Sequence, residues 1–160
     1  MLEDDGFIMV GRAMLRLPST FLVRFERAGA ESWGPTIYAF RFGSEVVRIG
    51  KTEGVLKIRM KQWERDVSRA LDGDFHKGGA NPWETFEWRK RLTEHGYADF
   101  LACEGLSLEV VRTEERDLIR RYNPPLCNDS LCGRSREPWA RGVPDVAAAK
   151  AHWLRLNKKG

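Results

Sequence analysis

A glutamate lies where the apolar side of a predicted helix should continue. In the stretch SLEVVRTEERDLIRRY the apolar positions are Leu108, Val111, Leu118, Ile119 and Tyr122. Their successive spacings are three, seven, one and three residues. Glu115 occupies the position that completes this stripe between Val111 and Leu118. A carboxylate on the core-facing side of a helix costs several kcal/mol unless it is paired or binds a metal ion. Glu115 is therefore either an edge residue that meets an arginine or part of a polar site.

An arginine shows a weaker form of the same pattern on the preceding predicted helix. Arg59 follows Leu56 by three residues and precedes Trp63 by four, so it lies on their side of the helix. An arginine can lay its apolar stem along such a flank and keep its charged head in water. Together, an inward arginine and an inward glutamate indicate a polar site.

The composition favours a single folded domain. The chain has 160 residues, of which 42% are hydrophobic and 31% charged, unlike a disordered chain. No apolar run approaches the roughly 18 residues of a membrane span, so we expect no membrane partner. The net charge of +4 suits a polyanionic partner such as nucleic acid. Three cysteines, an odd number, and a start unlike a signal peptide favour a reducing, cytoplasmic location.

The hydrophobic pattern predicts the elements that must position these residues. The first twenty residues are either a lead-in strand or a loose arm, and residues 21–25 and 97–103 read as strands. TIYAFRFGSEVVRIGKT predicts a hairpin that turns at Gly43 and Ser44. Helices are expected over residues 55–71, 83–94, 107–122 and 145–156, with a loop at 72–82. The expected fold is α/β (α+β), a small, mainly antiparallel central sheet flanked by helices.

The order of several short motifs resembles the GIY-YIG endonuclease family. In that family a strand with Gly-Ile-Tyr precedes a strand ending in Tyr-Ile-Gly, and an arginine, a glutamate and an asparagine follow on later elements. Here Thr36-Ile37-Tyr38 and Arg48-Ile49-Gly50 are similar to the two strand motifs. The later residues correspond to Arg59, Glu115 and Asn128. Thr36 replaces the first glycine, and Arg48 stands in place of the second tyrosine. The resemblance implies one nuclease domain over residues 1–160, with a core at about 35–128, an N-terminal arm and a basic helical C-terminal extension.

The resemblance implies hydrolysis of phosphodiester bonds with a divalent metal ion. Glu115 would bind one Mg²⁺ or Mn²⁺, an ion that takes few protein ligands and keeps several waters. Arg59 would hold the scissile phosphate through its planar fork of donors. Asn128 would support the site, although it is equally well explained as a turn residue after a helix.

Tyr38 would be the base of this reaction or would orient the attacking water. A free phenol has a pKa of about 10, so a tyrosine that acts as a base near neutral pH requires help from a cation. Arg48 could be that cation if the two side chains share a face of the hairpin, and Lys51 is a second basic candidate. The alternative for Tyr38 is a strand tyrosine that only packs against its neighbours.

Two basic stretches are candidates for contact with nucleic acid. On the first predicted helix, spacings of four residues put three basic residues on one side: Lys57, Lys61 and Arg65. A basic stretch nearer the C-terminus contributes Arg134, Arg136 and Arg141 around Trp139. A solvated helix face is the ordinary alternative for the first group. The sequence thus predicts an endonuclease acting on DNA, restriction-like or repair-like, and leaves open a binding module that keeps the fold without catalysis.

Overall fold

A five-stranded antiparallel sheet forms the centre of the molecule in the computed structural model. The structure describes residues 1–17, 19–74 and 82–126, together with positions 151 and 155. The strands are β1 (Phe7–Arg16), β2 (Thr20–Phe25), β3 (Thr36–Phe42), β4 (Glu45–Thr52) and β5 (Tyr97–Cys103). Their spatial order is β2-β1-β5-β3-β4, which leaves β2 and β4 at the edges. The predicted α+β fold with an antiparallel central sheet is confirmed.

Three α-helices are described, α1 (Leu56–Leu71), α2 (Pro82–His95) and α3 (Leu108–Tyr122). Short 3-10 turns lie at Leu2–Asp5 and Ala30–Ser32. The predicted helices over residues 55–71, 83–94 and 107–122 are confirmed to within a residue or two. Most of the helix predicted at 145–156 lies outside the described residues, apart from helical positions 151 and 155. None of the described helices is long and apolar enough to cross a membrane.

The hairpin of β3 and β4 forms where the sequence predicts it. Gly43 adopts a φ of 58° in the turn, a conformation that glycine reaches without the steric cost of a side chain. The register pairs Tyr38 with Gly50 and Phe40 with Arg48, and a bulge follows Phe40. Because opposite residues point to the same face, the side chains of Tyr38 and Arg48 share one face of the sheet.

The sheet separates two hydrophobic cores. On one face α1 and α2 pack their apolar sides against the strands, and an aromatic cluster fills the interface: Phe21, Phe40, Trp63, Trp88 and Phe100. On the other face α3 packs against β3 and β4 through Val111, Leu118 and Ile119. Leu108, which the sequence placed on this stripe, is 43% exposed at the start of α3. The helices α1 and α3 therefore lie on opposite faces of the β4 edge.

The N-terminal residues belong to the sheet. Residues 7–16 form β1, which lies between β2 and β5, so the strand alternative holds for this segment and the loose arm does not. Val10 and Ala13 are fully buried in the core under α1 and α2. The core therefore begins well before residue 35, where the motif resemblance placed its start. In the sheet β5 is a central strand that pairs with β3 on one side and with β1 on the other, so β1 is part of the core.

Candidate active site

The ring of Tyr38 lies across Gly50 on the neighbouring strand. A Cβ added to Gly50 would stand 2.7 Å from both Cζ and Oη of Tyr38, closer than unbonded carbon atoms approach. Tyr38 is 1% exposed and also packs against Phe40 and Phe100. The missing side chain at Gly50 thus makes the space that the phenol occupies.

Arg59 reaches the Tyr38 hydroxyl from the first turn of α1. Its Nε donates a hydrogen bond to Tyr38 Oη over 3.3 Å. The helix begins at Leu56, only a few residues after β4 ends, so its first turn lies above the end of that strand. Within the described parts of the chain, the terminal nitrogens of Arg59 have no hydrogen-bond acceptor. Their donors remain available to an anion.

Glu115 forms an ion pair with Lys51 on the opposite face of the sheet. Lys51 Nζ lies 3.5 Å from Glu115 Oε2, and the glutamate side chain is 16% exposed. Burial raises the pKa of the Glu115 carboxyl, although the charges of Lys51, Arg48 and Arg116 act in the opposite direction. The ion-pair partner of Glu115 is therefore a lysine on β4, where the sequence suggested an arginine. The surrounding cations do not fully offset the cost of burying its negative charge.

Arg48 points from β4 towards α2. Its Nη1 donates to Glu84 Oε1 over 2.5 Å and to the carbonyl oxygen of Leu126 over 2.9 Å. The guanidinium lies over the Trp63 ring, with Cζ 5.4 Å from the centroid. Arg48 thus shares a face with Tyr38 as the sequence required, yet the observed hydrogen bond to the phenol comes from Arg59. Arg48 also favours the charged form of Glu115.

The glutamate that holds Arg48 was missed by the sequence reasoning. Glu84 on α2 also accepts a hydrogen bond from Trp88 Nε1 over 3.2 Å. It precedes Trp88 by four residues and Leu92 by eight, which places a carboxylate on the apolar side of α2. The signal that singled out Glu115 on α3 was therefore present on α2 as well.

The pairs Tyr38–Arg59 and Lys51–Glu115 flank the same edge of the sheet. Because β4 is an edge strand and its side chains alternate, Gly50 faces α1 while Lys51 faces α3. An anion at this edge has cationic groups on two sides. This arrangement suits a phosphate group.

The remaining candidates divide between exposed helix positions and residues outside the described part of the chain. Lys57, Lys61 and Arg65 are exposed on α1, and Arg65 Nε lies 3.8 Å from Asp66. Among described groups, Lys57 and Lys61 form no ion pair. The candidates outside the described residues are Asn128, Arg134, Arg136 and Arg141. The chain before Asn128 runs beside β4, where the Leu126 amide donates to the Val47 carbonyl over 2.8 Å.

A divalent metal ion would find one carboxylate at this site. Across the described residues, no three His, Cys, Asp or Glu side chains converge on a common point. A single carboxylate is compatible with Mg²⁺, which commonly keeps most of its water ligands. Glu115, 16% exposed and 3.5 Å from Lys51 Nζ, is the carboxylate that would serve as that ligand.

Comparison with known proteins gives one distant structural similarity. No family model matches the sequence, and no curated protein matches it significantly. The structure is similar to that of the restriction endonuclease HPY188I in complex with product DNA, with a TM-score of 0.46 and 11% sequence identity. The match covers 76% of this chain and 79% of that one.

Proposed function

We propose that this protein is a divalent-metal-dependent endonuclease of the GIY-YIG type that hydrolyses phosphodiester bonds in DNA. The observation that carries the proposal is the hydrogen bond from Arg59 Nε to the Tyr38 hydroxyl beside Gly50. It joins a phosphate-binding group and a potential base at one point. The proposal also draws on the motif order that resembles this family.

Arg59 is proposed to bind the scissile phosphate. Its Nε is occupied by Tyr38, while its terminal nitrogens have no acceptor within the described residues. A guanidinium fixed at one nitrogen holds its remaining donors in a defined direction, and planar donors match the oxygens of a phosphate. Arg59 would also stabilise the negative charge that develops on the phosphoryl oxygens.

Tyr38, in its phenolate form, is proposed to accept a proton from the attacking water and so become a neutral phenol. Hydrolysis joins the water oxygen to phosphorus, breaks the bond from phosphorus to one bridging oxygen and releases a proton from the water. The Arg59 hydrogen bond takes up one side of the phenol oxygen and places positive charge next to it. A bound phosphate would bring the attacking water within reach of that oxygen.

Glu115 is proposed to bind the metal ion, Mg²⁺ or Mn²⁺. When bound, such an ion supplies positive charge that stabilises the phosphoryl group and its attacking or leaving oxygen. Lys51 would exchange its ion pair with Glu115 for contact with the phosphate. Arg48 would act on the charge of Glu115 from its position against Glu84, and Asn128 would support the site from the segment after α3.

A non-catalytic DNA-binding module is the second candidate. Two observations favour it: Tyr38 is only 1% exposed, and Glu115 already has Lys51 as a counter-ion. In such a module Arg59 would bind backbone phosphate without cleavage. Lys57, Lys61 and Arg65 would extend the contact along α1.

Incubation with supercoiled plasmid and Mg²⁺ or Mn²⁺ separates the two candidates. We expect wild-type protein to nick the plasmid, and we expect Glu115→Gln and Tyr38→Phe to reduce the rate about a hundredfold or more, the usual contribution of such groups. Glu109→Gln is the matched control, because Glu109 is an exposed carboxylate on the same helix. EDTA should abolish nicking by the wild type.

The nuclease proposal fails if wild type and Glu115→Gln are equally unable to nick supercoiled, linear and branched DNA. Gel-shift measurements on the same samples then decide between the candidates. A retained shift with the wild type would establish the binding module.

A further inference from the structure

Part of one face of the sheet is covered by none of the described helices. On this face α3 packs against β3 and β4, whereas α1 and α2 lie on the opposite face. Strand alternation and the register assign eight residues to the uncovered part, which we call the open sheet face: Arg12, Met14, Arg16, Thr20, Leu22, Arg24, Tyr97 and Asp99. Tyr97 is 43% exposed there, and both Arg16 and Arg24 are exposed.

Two arginines stand directly opposite each other on the open sheet face. The register of β1 and β2 pairs Arg12 with Arg24, and like charges in directly opposed positions destabilise a sheet. Glu26 Oε1 lies 3.7 Å from Arg12 Nε, and Asp99, opposite Arg12 on β5, is already bound to Arg41. Among the described residues, the side chains of Arg16 and Arg24 form no ion pair. The face carries more positive charge than its neighbours neutralise.

The Arg12 guanidinium lies over an aromatic ring of the neighbouring strand. Its Cζ lies 4.3 Å from the centroid of the Tyr97 ring, a cation–π contact. Its Nε is buried and has no acceptor in the part of the chain that the structure describes. The Arg12 side chain as a whole is 41% exposed, so its guanidinium can still donate to an external anion from its terminal nitrogens.

We propose that the open sheet face binds the phosphate backbone of DNA, at a place distinct from the Tyr38–Arg59 site. Arg12 and Arg16 are four residues apart on one strand, or about 13 Å, so they would reach different phosphates. A phosphate between Arg12 and Arg24 relieves their repulsion. The Tyr38–Arg59 site lies on the α1 side of the sheet, so the open sheet face is a separate place on the opposite side.

Charge and shape favour DNA over an anionic membrane. Met14 and Leu22 are only partly exposed, and the Tyr97 ring lies beneath Arg12, so the face presents guanidinium groups and no protruding apolar cluster. Planar guanidinium groups match phosphate oxygens. Leu17, 76% exposed in the turn after β1, makes vesicle binding the necessary comparison.

Fluorescence anisotropy with a labelled DNA duplex in EDTA tests the proposal without any cleavage. The variant is Arg12→Gln/Arg24→Gln, and the control is Lys90→Gln/Arg120→Gln, which removes two exposed positive charges elsewhere. We expect the Kd of the first variant to rise about tenfold, and the slope of log K against log salt to fall by about 2. The control should bind like the wild type.

Thermal unfolding checks that the variant remains folded. We expect its midpoint to stay close to that of the wild type, because removal of the like-charge pair offsets loss of the Arg12–Glu26 ion pair and of the Arg12–Tyr97 contact. Equal affinities of the two double variants would overturn the proposal, and so would a wild type that does not bind DNA in EDTA.

Vesicles of phosphatidylcholine with phosphatidylserine provide the other comparison. If the Arg12→Gln/Arg24→Gln variant loses vesicle binding while it keeps its DNA affinity, the face contacts membranes and the proposal is wrong. The duplex measurement is made in EDTA, where no metal-dependent nicking occurs, so it tests this proposal separately from the nuclease proposal. If the wild type binds the duplex through this face but never nicks plasmid, the result contradicts the nuclease proposal and leaves the proposal for the open sheet face intact.

Discussion

At Gly50 the absence of a side chain decides where the Tyr38 ring lies. The phenol occupies the volume that any Cβ would take, and this position brings its hydroxyl to Arg59. The glycine is therefore needed for close approach, since no positive φ is involved. The same strand supplies Lys51 to Glu115 on the other face, so two consecutive residues serve the two sides of the site.

Replacement of Gly50 by alanine tests this arrangement. A Cβ at 2.7 Å from the phenol forces the ring to move away from Arg59. Misplacement of a catalytic group by about 1 Å costs about a hundredfold in rate, and we expect Gly50→Ala to reduce plasmid nicking by that order. Plasmid nicking and the NMR chemical shifts of the Tyr38 ring are the measurements.

Gly54→Ala is the control for that substitution. A Cβ at Gly54, in the turn between β4 and α1, would meet nothing within 4 Å. It should nick plasmid like the wild type and leave the Tyr38 resonances in place. Equal behaviour of the two variants would show that the Tyr38 ring does not depend on the space at Gly50.

At the scale of elements, Asp5 ties the N-terminal turn to the end of α3. Tyr122 Oη donates to Asp5 Oδ2 over 2.5 Å, and Arg121 forms an ion pair with the same carboxylate. The Tyr122 hydrogen bond and Arg121 hold the pKa of the Asp5 carboxyl below its ordinary value, against a smaller opposing effect of burial. Burial and Asp5 raise the pKa of Tyr122 to about 12. This contact fixes the far end of the helix that carries Glu115.

Asp5→Asn should therefore destabilise the protein in a pH-dependent way. Since the pKa of Asp5 is lower in the folded protein, the carboxylate stabilises the fold above its ordinary value of 3.8, and this contribution is lost as the pH falls through the folded pKa. We expect the variant to have a lower free energy of unfolding than the wild type at pH 7. The difference should shrink towards pH 2.

Urea unfolding across this pH range measures the effect. Asp117→Asn is the control, because Asp117 is 63% exposed and lies 3.9 Å from Arg120. Exposed pairs of this kind contribute about 0 to 1 kcal/mol. A constant difference between Asp5→Asn and wild type at every pH would exclude the carboxylate as its cause.

At the scale of the whole molecule, folding of the sheet depends on the N-terminal strand β1. The sheet places β1 between β2 and β5, and Phe21 from β2 packs edge-on against Trp63 and Trp88. Without these strands one edge of β5 and a large part of the aromatic core would be exposed to water. The site at β4 depends on the same core, because Trp63 and Trp88 position Arg48 and Glu84.

A fragment of residues 35–128 should therefore not fold by itself. It would retain the motif residues Tyr38, Arg59 and Glu115 but lose both β1 and β2. We expect no cooperative transition in urea and little protection of the β5 amides from hydrogen exchange, whereas the full chain should show both. A cooperative transition of the fragment would mean that the motif-bearing half is an independent unit.

Local patterns were sufficient to predict most elements of this fold. The hairpin turn at Gly43, the helical spacing of α1 and the cap of α3 at Ser107, whose hydroxyl accepts from the Val110 amide, all depend on residues close in sequence. The role of β1 could not be predicted in the same way. Its partners β2 and β5 are separated by more than seventy residues, and a mixed pattern of polar and apolar residues fits either a strand or an arm.

The sequence by itself singled out Tyr38, Arg59 and Glu115, because a charge within an apolar stripe and a motif order are both local signals. Only the tertiary structure decided their partners. In the structure, Arg59 donates the hydrogen bond to Tyr38, and Lys51 forms the ion pair with Glu115. Arg48 binds Glu84 instead of the phenol. The physical reason is that strand register and helix packing determine which side chains meet across the edge of the sheet, and both arise from long-range contacts.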